Sequence, residues 1–154
     1  MTAATPRITI VTPSLNQGAF LDAALRSVSD QGYPDLEHIV IDGVSTDETL
    51  RVLERYPHLR WVSKEDEGQT DAINKGLELS TGEIVAYLNS DDVYRPKAFA
   101  LVRRAFEENP TVDVVVGSCD IIDDRSQTTG KYEARLDSRA HLPAFWLWEK
   151  SVCI

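Results

Sequence analysis

The sequence predicts an α/β fold in which a mostly parallel sheet lies between two layers of helices. Three observations favour this class. Short runs rich in β-branched residues alternate with segments whose apolar residues recur at helical spacing. Several runs stop abruptly at polar or acidic residues, as strands do at the ligand-binding edge of an open parallel sheet. No internal repeat or low-complexity linker interrupts the alternation, so one domain is expected.

Composition limits the classes of partner. The chain has 154 residues, of which 42% are hydrophobic and 27% charged, as is typical of a soluble globular domain with one core. Its formal net charge is -9, and no cluster of Lys and Arg stands out. Nucleic acid is therefore not expected as a partner, since phosphate backbones are bound by such clusters. A phosphate-bearing ligand would be small and bridged by a metal ion.

The N-terminal residues do not resemble a secretory signal, and no membrane span is expected. Residues 1–6 are short and polar and are expected to be flexible, and no apolar run approaches the roughly 20 residues of a membrane span. Cys119 and Cys153 have no metal-site spacing, so free thiols in a reducing compartment are the simplest interpretation. We expect a cytoplasmic protein. Peripheral contact with a membrane and homo-oligomer formation both stay open.

The first unit is a β-branched run over 7–14 followed by a turn with Asn16 and Gly18. Apolar residues at helical spacing then predict a helix from about 19 to 31. The unit lacks the Gly-x-Gly-x-x-Gly of dinucleotide binding and the Gly-Lys-Ser/Thr of a P-loop. Nicotinamide-dependent and ATP-hydrolysing enzymes are therefore disfavoured.

The second predicted strand, 37–42, ends in a carboxylate. Asp42 lies beside a glycine turn, where it could accept a hydrogen bond from a ligand. Ser45 and Glu48 have the spacing of a capping box for the helix that follows. Asp47 and Glu48 are explained by the favourable charge at a helix N-terminus.

A third strand over 59–63 leads into the polar loop 64–71 and then a helix with apolar residues at 72, 73, 77 and 79. The loop has two interpretations. It is a solvated connection in which Thr70 or Asp71 caps the helix, or it contributes to a site at the strand ends.

The fourth strand, 84–88, is the most informative stretch because it ends directly in Asn89-Ser90-Asp91-Asp92. Adjacent carboxylates repel each other unless a cation or hydrogen bonds compensate, and Mg²⁺ or Mn²⁺ takes oxygen ligands. The alternative is a solvated turn followed by a helix that starts near Pro96.

The remaining elements are a helix over 97–108, a fifth strand over 113–117, and a hairpin whose strands cover 119–123 and 130–135. The last stretch, 142–154, is apolar and aromatic. It is expected to pack on more of its own chain, on a partner or on a membrane surface.

Four motifs together resemble a known family. In order and spacing they are similar to the inverting family 2 glycosyltransferases with the GT-A fold, a three-layer α/β/α sandwich. The motifs are Thr12-Pro-Ser-Leu-Asn-Gln17, Ile41-Asp-Gly-Val-Ser-Thr-Asp-Glu48, Glu67-Gly-Gln-Thr-Asp-Ala-Ile-Asn-Lys-Gly76 and Leu88-Asn-Ser-Asp-Asp-Val-Tyr-Arg-Pro96.

The resemblance implies a set of nucleotide-binding residues: Thr12, Pro13, Ser14, Asn16, Asp42, Asp71, Asn89, Ser90 and Asp91. Within this set Asp42 hydrogen-bonds the nucleobase, and Asp91 is the ligand of a Mg²⁺ or Mn²⁺ ion that bridges the diphosphate. Two positions depart from the family's pattern. Asn89 replaces the first carboxylate of the Asp-x-Asp motif, so metal affinity without nucleotide is expected to be weak. Val44 replaces a common glycine, which suggests a tighter turn.

The implied reaction moves a sugar from a nucleotide-diphosphate donor, a UDP-sugar, to a hydroxyl of a saccharide or other acceptor, with inversion. On this interpretation 7–118 is the nucleotide-sugar-binding core, and 119–154 begins an acceptor-side region that is incomplete. The general base is expected beyond Ile154. Glu149 and the carboxylates between Asp120 and Asp124 are available, but nothing in the sequence selects one. We expect donor binding without transfer.

Two other classes of protein share parts of this pattern. A non-catalytic nucleotide-sugar-binding or interaction module would share the donor pocket but show no turnover. A receiver-type or phosphoryl-transfer domain also places acids at strand ends, but its acidic cluster would follow the first strand, where this chain has Thr12-Pro13-Ser14.

Overall fold

A computed structural model describes residues 5–133. Its strands and helices alternate over most of that length, as the sequence predicted. In chain order the elements are β1 (Ile8–Ser14), α1 (Gly18–Ser29), β2 (Leu36–Asp42), α2 (Thr49–Leu53), β3 (Arg60–Ser63), α3 (Gln69–Leu79), β4 (Ile84–Tyr87), α4 (Ala98–Glu108), β5 (Cys119–Ile122) and β6 (Thr128–Tyr132).

The first four strands form one parallel sheet in the order β3-β2-β1-β4. β1 lies inside the sheet, and all seven of its residues are buried. It pairs with β2 from Ile8 opposite Leu36 to Ser14 opposite Asp42, and with β4 on its other side. Since the strands are parallel, their carboxyl ends meet at one edge, where the polar strand ends of the sequence are gathered.

Helices cover both faces of the sheet. On one face α1, β1 and α4 share a buried cluster, in which Ala24 and Val28 lie with Ile8, Ile10 and Phe99. Helix α1 also packs against α2 through a second cluster of buried residues, formed by Leu21, Leu25, Val40, Val52 and Leu53.

The opposite face is covered by α3. Ala72 packs on Ile39 and Ile41 of β2. One turn later a Cβ at Gly76 would lie 2.2 Å from Cγ1 of Val11, so only glycine lets the helix approach β1 this closely. The three-layer α/β/α arrangement with a parallel sheet is confirmed.

β5 and β6 form a separate antiparallel hairpin. An ion pair between Arg95 and Asp120 joins it to the segment that follows β4. The second hairpin strand ends at Tyr132, whereas the prediction placed it over 130–135, of which 134 and 135 lie outside the described residues.

The predicted strand over 113–117 is wrong, because these residues are irregular and pair with no strand in the described part of the chain. Val114 is 45% exposed. A valine run has strand propensity, but a strand also needs a partner and a covered face.

The predicted ends of α1 and α4 lie within two residues of the observed ends, whereas three apolar residues of the helices were assigned to the wrong face. Helical spacing places Phe20, Leu77 and Leu101 on the predicted apolar faces of their helices, but their side chains are exposed, while most other apolar residues of these helices are buried or half-buried. α4 starts at Ala98, after Lys97 with φ +72°. No helix within residues 5–133 is long and apolar enough to cross a membrane. The run 142–154, with Cys153 and Glu149, lies outside the described residues.

Candidate functional site

An open pocket of about 400 Å³ lies at the carboxyl edge of the sheet. It is bounded by the end of β1, the loop after β4 and the start of α3. The lining residues are Pro13, Ser14, Leu15, Gln17, Asp66, Gly68, Gln69, Ala72, Asn89, Ser90 and Asp91. Five of the nine residues that the sequence assigned to nucleotide binding are thus brought together here.

The end of β1 supplies one wall. Ser14 is buried, and its Oγ has no hydrogen-bond partner among the described residues. Such an orphan hydroxyl is uncommon in a folded protein. Thr12 does not line the pocket. Its Oγ1 lies 2.9 Å from Nε2 of His38, behind that wall, and burial lowers the pKa of His38 to about 3.

The loop after β4 supplies the opposite wall and has one open carboxylate. Asp91 is exposed and makes no hydrogen bond or ion pair with residues 5–133. Ser90 is buried. Asn89 is committed at both ends of its amide: Oδ1 accepts from Nε2 of Gln69 at 2.5 Å, and Nδ2 donates to Oδ2 of Asp92 at 2.9 Å.

The start of α3 forms a third side of the pocket. Gly68 is the N-cap residue and has φ +113°, a conformation that favours glycine. Its N–H donates to Oδ1 of Asp66 at 2.9 Å, which holds that carboxylate at the pocket wall. The sequence offered Thr70 or Asp71 as the N-cap of this helix. That interpretation is wrong, because the N-cap is Gly68. The first turn of a helix carries a partial positive charge, which favours an anion here.

Asp71 does not line the pocket. Its Oδ2 accepts from the N–H of Glu67 at 3.0 Å and pairs with Nζ of Lys75 at 2.7 Å. The lysine, followed by the Glu67 amide, lowers the pKa of Asp71. A contact between Asp71 and nucleotide stays a prediction. The structure shows that Asp71 holds the loop before α3 through Glu67 and Lys75.

Asp42 is 0% exposed and lies behind the pocket. Its Oδ1 accepts from Oγ of Ser45 at 2.5 Å, and its Oδ2 accepts from the N–H of Ser45 at 3.1 Å and from Oγ of Ser63 at 2.6 Å. The carboxylate therefore joins the loop after β2 to the end of β3. Its predicted hydrogen bond to a nucleobase stays a prediction.

The predicted capping box in the loop after β2 is wrong. Ser45 does not cap α2, because its Oγ is used by Asp42 and by the N–H of Asn16. The N-cap residue is Glu48, which makes no side-chain cap hydrogen bond, and Oδ1 of the preceding Asp47 accepts from the N–H and Oγ1 of Thr49. Oδ2 accepts from the N–H of Gly18, so the same side chain fixes the start of α1. The Thr49 hydroxyl is the largest cause that lowers the pKa of Asp47.

Asn16 likewise builds the loops and does not line the pocket. Its Oδ1 accepts from the N–H of Thr46 at 2.8 Å, and its backbone has φ +53°, which asparagine tolerates better than most residues. Asn16 and Asp42 thus hold two neighbouring loops together through Ser45.

The charge of the pocket determines what kind of site it is. Its lining includes the carboxylates Asp66 and Asp91 and neither Lys nor Arg. Within residues 5–133 no group of three or more His, Cys, Asp or Glu side chains is placed to hold a metal ion. A divalent ion held by one or two carboxylates and completed by substrate phosphates fits this donor set, and a pre-formed protein cage does not.

Six lining residues were not predicted as site residues: Leu15, Gln17, Asp66, Gly68, Gln69 and Ala72. All lie within or beside the first and third motifs, so the sequence held a signal for them. What it lacked was the direction of each side chain relative to the pocket, because loop residues have no fixed periodicity and the orientation of α3 on the sheet is a tertiary property.

Solved structures with a similar fold are glycosyltransferases. The mannosyltransferase PcManGT of Pyrobaculum calidifontis, in complex with GDP-Man and Mn²⁺, superposes with a TM-score of 0.60 at 27% identity, over 80% of this chain and 37% of that one. Glucosyl-3-phosphoglycerate synthase of Mycobacterium tuberculosis, with Mn²⁺, UDP and glucosyl-3-phosphoglycerate, matches with a TM-score of 0.50 at 28% identity, over 56% of this chain and 34% of that one. The chain has the GT-A fold of these enzymes.

The family is shown by sequence as well. The model of glycosyl transferase family 2 matches residues 9–153, and the chain belongs to that family. A PGL/p-HBAD biosynthesis glycosyltransferase of Mycobacterium bovis is 37% identical over 120 residues, which cover 74% of this chain and 47% of the relative. The teichuronic acid biosynthesis glycosyltransferase TuaG of Bacillus subtilis, a putative assignment by its own description, is 36% identical over 101 residues, 62% of this chain and 40% of the relative. The chain thus spans less than half the length of these curated relatives.

Proposed function

We propose that this chain binds the donor of a glycosyltransferase reaction, a nucleotide-diphosphate sugar of which UDP-sugar is the first candidate. The observation that carries the proposal is the pocket itself, in which Ser14, Ser90 and the open carboxylate of Asp91 meet at the carboxyl edge of a parallel sheet. This edge is where ligands bind in open α/β sheets. The ligands named for the similar structures, GDP-Man and UDP, support the class of donor and leave the base to be tested.

A divalent ion, Mg²⁺ or Mn²⁺, is part of the proposal. A diphosphate that enters the pocket meets Asp66 and Asp91 and neither Lys nor Arg. Like charges repel, so the anion needs a cation between itself and the carboxylates. Asp91 is the residue that would hold the ion, because its oxygens have no partner among residues 5–133. When bound, the ion neutralises charge that develops on the leaving diphosphate.

The remaining groups bind and orient. The orphan Oγ of Ser14 suits a ribose hydroxyl or a bridging water, and the start of α3 favours the negative diphosphate. Asp42 is proposed to hydrogen-bond the nucleobase, and its buried carboxylate also holds the neighbouring loop through Ser45 and Ser63.

We propose that the transfer is to an acceptor hydroxyl with inversion, and that the base which removes the acceptor proton comes from outside residues 5–133. Among the carboxylates considered for this role, Asp120 pairs with Arg95, and Asp123 accepts two backbone N–H groups of its own turn. Neither these nor Asp124 lines the pocket. A chain without a positioned base would bind donor and hydrolyse it slowly at most.

Calorimetry tests the binding proposal directly. UDP and GDP are titrated into the chain with Mn²⁺, with Mg²⁺ and with EDTA, and into Asp91→Ala in parallel. We expect micromolar-range binding that requires the metal in the native chain and no metal dependence in the variant. Asp30→Ala, an exposed Asp at the end of α1, is the matched control and should bind as the native chain does. Equal affinity with EDTA and with Mn²⁺ contradicts the role of Asp91.

Turnover separates an enzyme from a binding module. Radiolabelled UDP-sugars and GDP-mannose are incubated with the chain and a panel of saccharide acceptors, and the same assay is run on a C-terminally extended protein. We expect transfer only by the longer protein. Transfer by the 154-residue chain at the same rate would show that the base lies within it. Binding without turnover in either protein would favour a non-catalytic module.

A further inference from the structure

Two consecutive hydrogen bonds link Gln69 and Asn89, which line the pocket, to Asp92. Nε2 of Gln69, in the first turn of α3, donates to Oδ1 of Asn89 at 2.5 Å. Nδ2 of Asn89 donates in turn to Oδ2 of Asp92 at 2.9 Å. These hydrogen bonds join the helix that closes one side of the pocket to the loop that bears Asp91.

These two hydrogen bonds can run in only one direction. The carbonyl oxygen of an asparagine accepts hydrogen bonds and its amide nitrogen only donates them, while a carboxylate only accepts. Because Asp92 requires the amide end of Asn89, the carbonyl end must face Gln69. An N–H group cannot ligate a cation, and the carbonyl oxygen that could do so is held by Gln69 at a short distance.

The consequence concerns the ion expected on Asp91. That residue offers open oxygens at the pocket, whereas the oxygen that Asn89 could add already accepts a short hydrogen bond from Gln69, which fixes its direction and makes it a weaker ligand for a cation. Magnesium-like ions on one carboxylate bind weakly until phosphate oxygens complete their shell. The arrangement therefore opposes an ion that arrives before the nucleotide.

We propose that Gln69 is a positioning residue that holds the carbonyl of Asn89 away from the cation, so that a divalent ion binds together with the diphosphate and not ahead of it. This inference rests on the proposed function, since it specifies how the same site takes up its ion. Neither Gln69 nor Asn89 needs to touch the reacting atoms for this role.

Gln69→Met tests the inference because methionine has nearly the same length and no N–H. Gln69 is exposed, so the fold should be kept. Mn²⁺ is titrated into native and variant chains without UDP and with saturating UDP. We expect Mn²⁺ alone to bind the variant at least about fivefold more tightly, and the factor by which Mn²⁺ and UDP strengthen each other to fall correspondingly. A purely structural role would not move this coupling factor.

Asn89→Asp is the second variant, and it changes the residue that accepts the hydrogen bond from Gln69. Asp keeps an acceptor for Gln69 but loses the donor to Asp92, and it places two carboxylates where a hydrogen bond lay. Mn²⁺ without nucleotide should then bind at least about tenfold more tightly than to the native chain. Unchanged or weaker binding of the ion would show that Asn89 does not control access to it.

The controls separate this inference from the function on which it rests. Gln127→Met makes the same substitution in the β5–β6 hairpin and should leave the coupling factor at the native value. If the native chain binds no UDP in the presence of Mn²⁺, the proposed function fails and the inference with it. If it binds UDP with Mn²⁺ while Gln69→Met shows the native coupling factor, the function stands and the role of Gln69 is wrong.

Discussion

Two strands of the sheet, β2 and β4, lead into aspartates whose surroundings are opposite. Asp42 at the end of β2 is 0% exposed and accepts three hydrogen bonds from Ser45 and Ser63. Asp91, just after β4, is exposed and has no partner among residues 5–133. The same residue type at the same edge of the sheet is therefore part of the scaffold in one loop and open to a ligand in the other.

The difference follows from the donors that surround each carboxylate. A buried carboxylate is stable only when N–H and O–H groups replace the water that it has lost. The loop after β2 supplies these groups from its own turn and from β3, whereas the loop after β4 supplies none to Asp91. A strand-end position thus brings a carboxylate to the binding edge, and the number of nearby donors decides how much of its hydrogen-bonding capacity is left for a ligand.

The largest predicted effect is on the scaffold loop. Asp42→Ala removes the acceptor of three hydrogen bonds, two of them buried, and should lower the free energy of unfolding by about 3 kcal/mol or more. Urea unfolding at pH 7 measures this change. Asp42→Asn keeps the shape and one acceptor, and it should cost less than the alanine. A loss below about 0.5 kcal/mol for Asp42→Ala would show that the hydrogen bonds of this loop do not contribute to stability.

The next effect concerns His38, which lies on the same strand and the same face as Asp42. Burial lowers its pKa to about 3, whereas the unfolded chain titrates near 6.5. Between these values the unfolded state binds a proton that the folded state does not, so stability is full above about pH 6.5 and is lost as the pH falls. We expect a loss of about 1.4 kcal/mol per pH unit from this group below pH 6.5.

Urea unfolding at pH 7, 6 and 5 measures this dependence. His38→Gln lacks the titrating group, so its stability should change less over the same interval, once the contribution common to both proteins is subtracted. Parallel curves for the two proteins would mean that His38 is protonated inside the fold. Thr12, whose Oγ1 contacts the ring, would then have to accept a hydrogen bond from it.

A smaller effect is expected at Val44, also in the loop after β2. Its φ is +65°, in the left-handed region that is unfavourable for a β-branched residue, and its side chain is 46% exposed. Val44→Gly should raise the free energy of unfolding by about 0.5 to 1 kcal/mol, because relief of strain exceeds the added freedom of the unfolded chain. Val114→Gly is the control, since it lies outside the left-handed region and should not stabilise.

The comparison of the two loops also explains what the sequence could predict. Apolar periodicity placed the strands and helices of the main sheet, because a buried face leaves a regular pattern. The pattern did not reveal that 113–117 has no strand partner, since pairing is a tertiary property. The sequence also placed both Asp42 and Asp91 at the carboxyl edge of the sheet, because the end of an apolar run marks the end of a strand.

The role of each aspartate was not visible, because the donors that decide it come from distant residues. Ser63 reaches Asp42 from another strand, 21 positions away. Ser45 looked like a helix cap by its spacing, but the buried carboxylate takes its hydroxyl instead. Gln69 is brought to Asn89 by the packing of α3 on the sheet, which no local motif encodes. Loop geometry of this kind depends on the whole fold.

The smallest predicted effect on stability is that of Asp91→Ala. An exposed carboxylate with no protein partner can be removed without leaving a donor unsatisfied, so the free energy of unfolding should change by less than about 0.5 kcal/mol. Urea unfolding without metal or nucleotide measures this value beside that of Asp42→Ala. In the presence of Mn²⁺ and UDP the variant should be less stable than the native chain, because bound ligands stabilise the native chain and not the variant. A destabilised variant in the absence of ligands would show that Asp91 belongs to the scaffold as Asp42 does, and would remove it as the ligand of the cation.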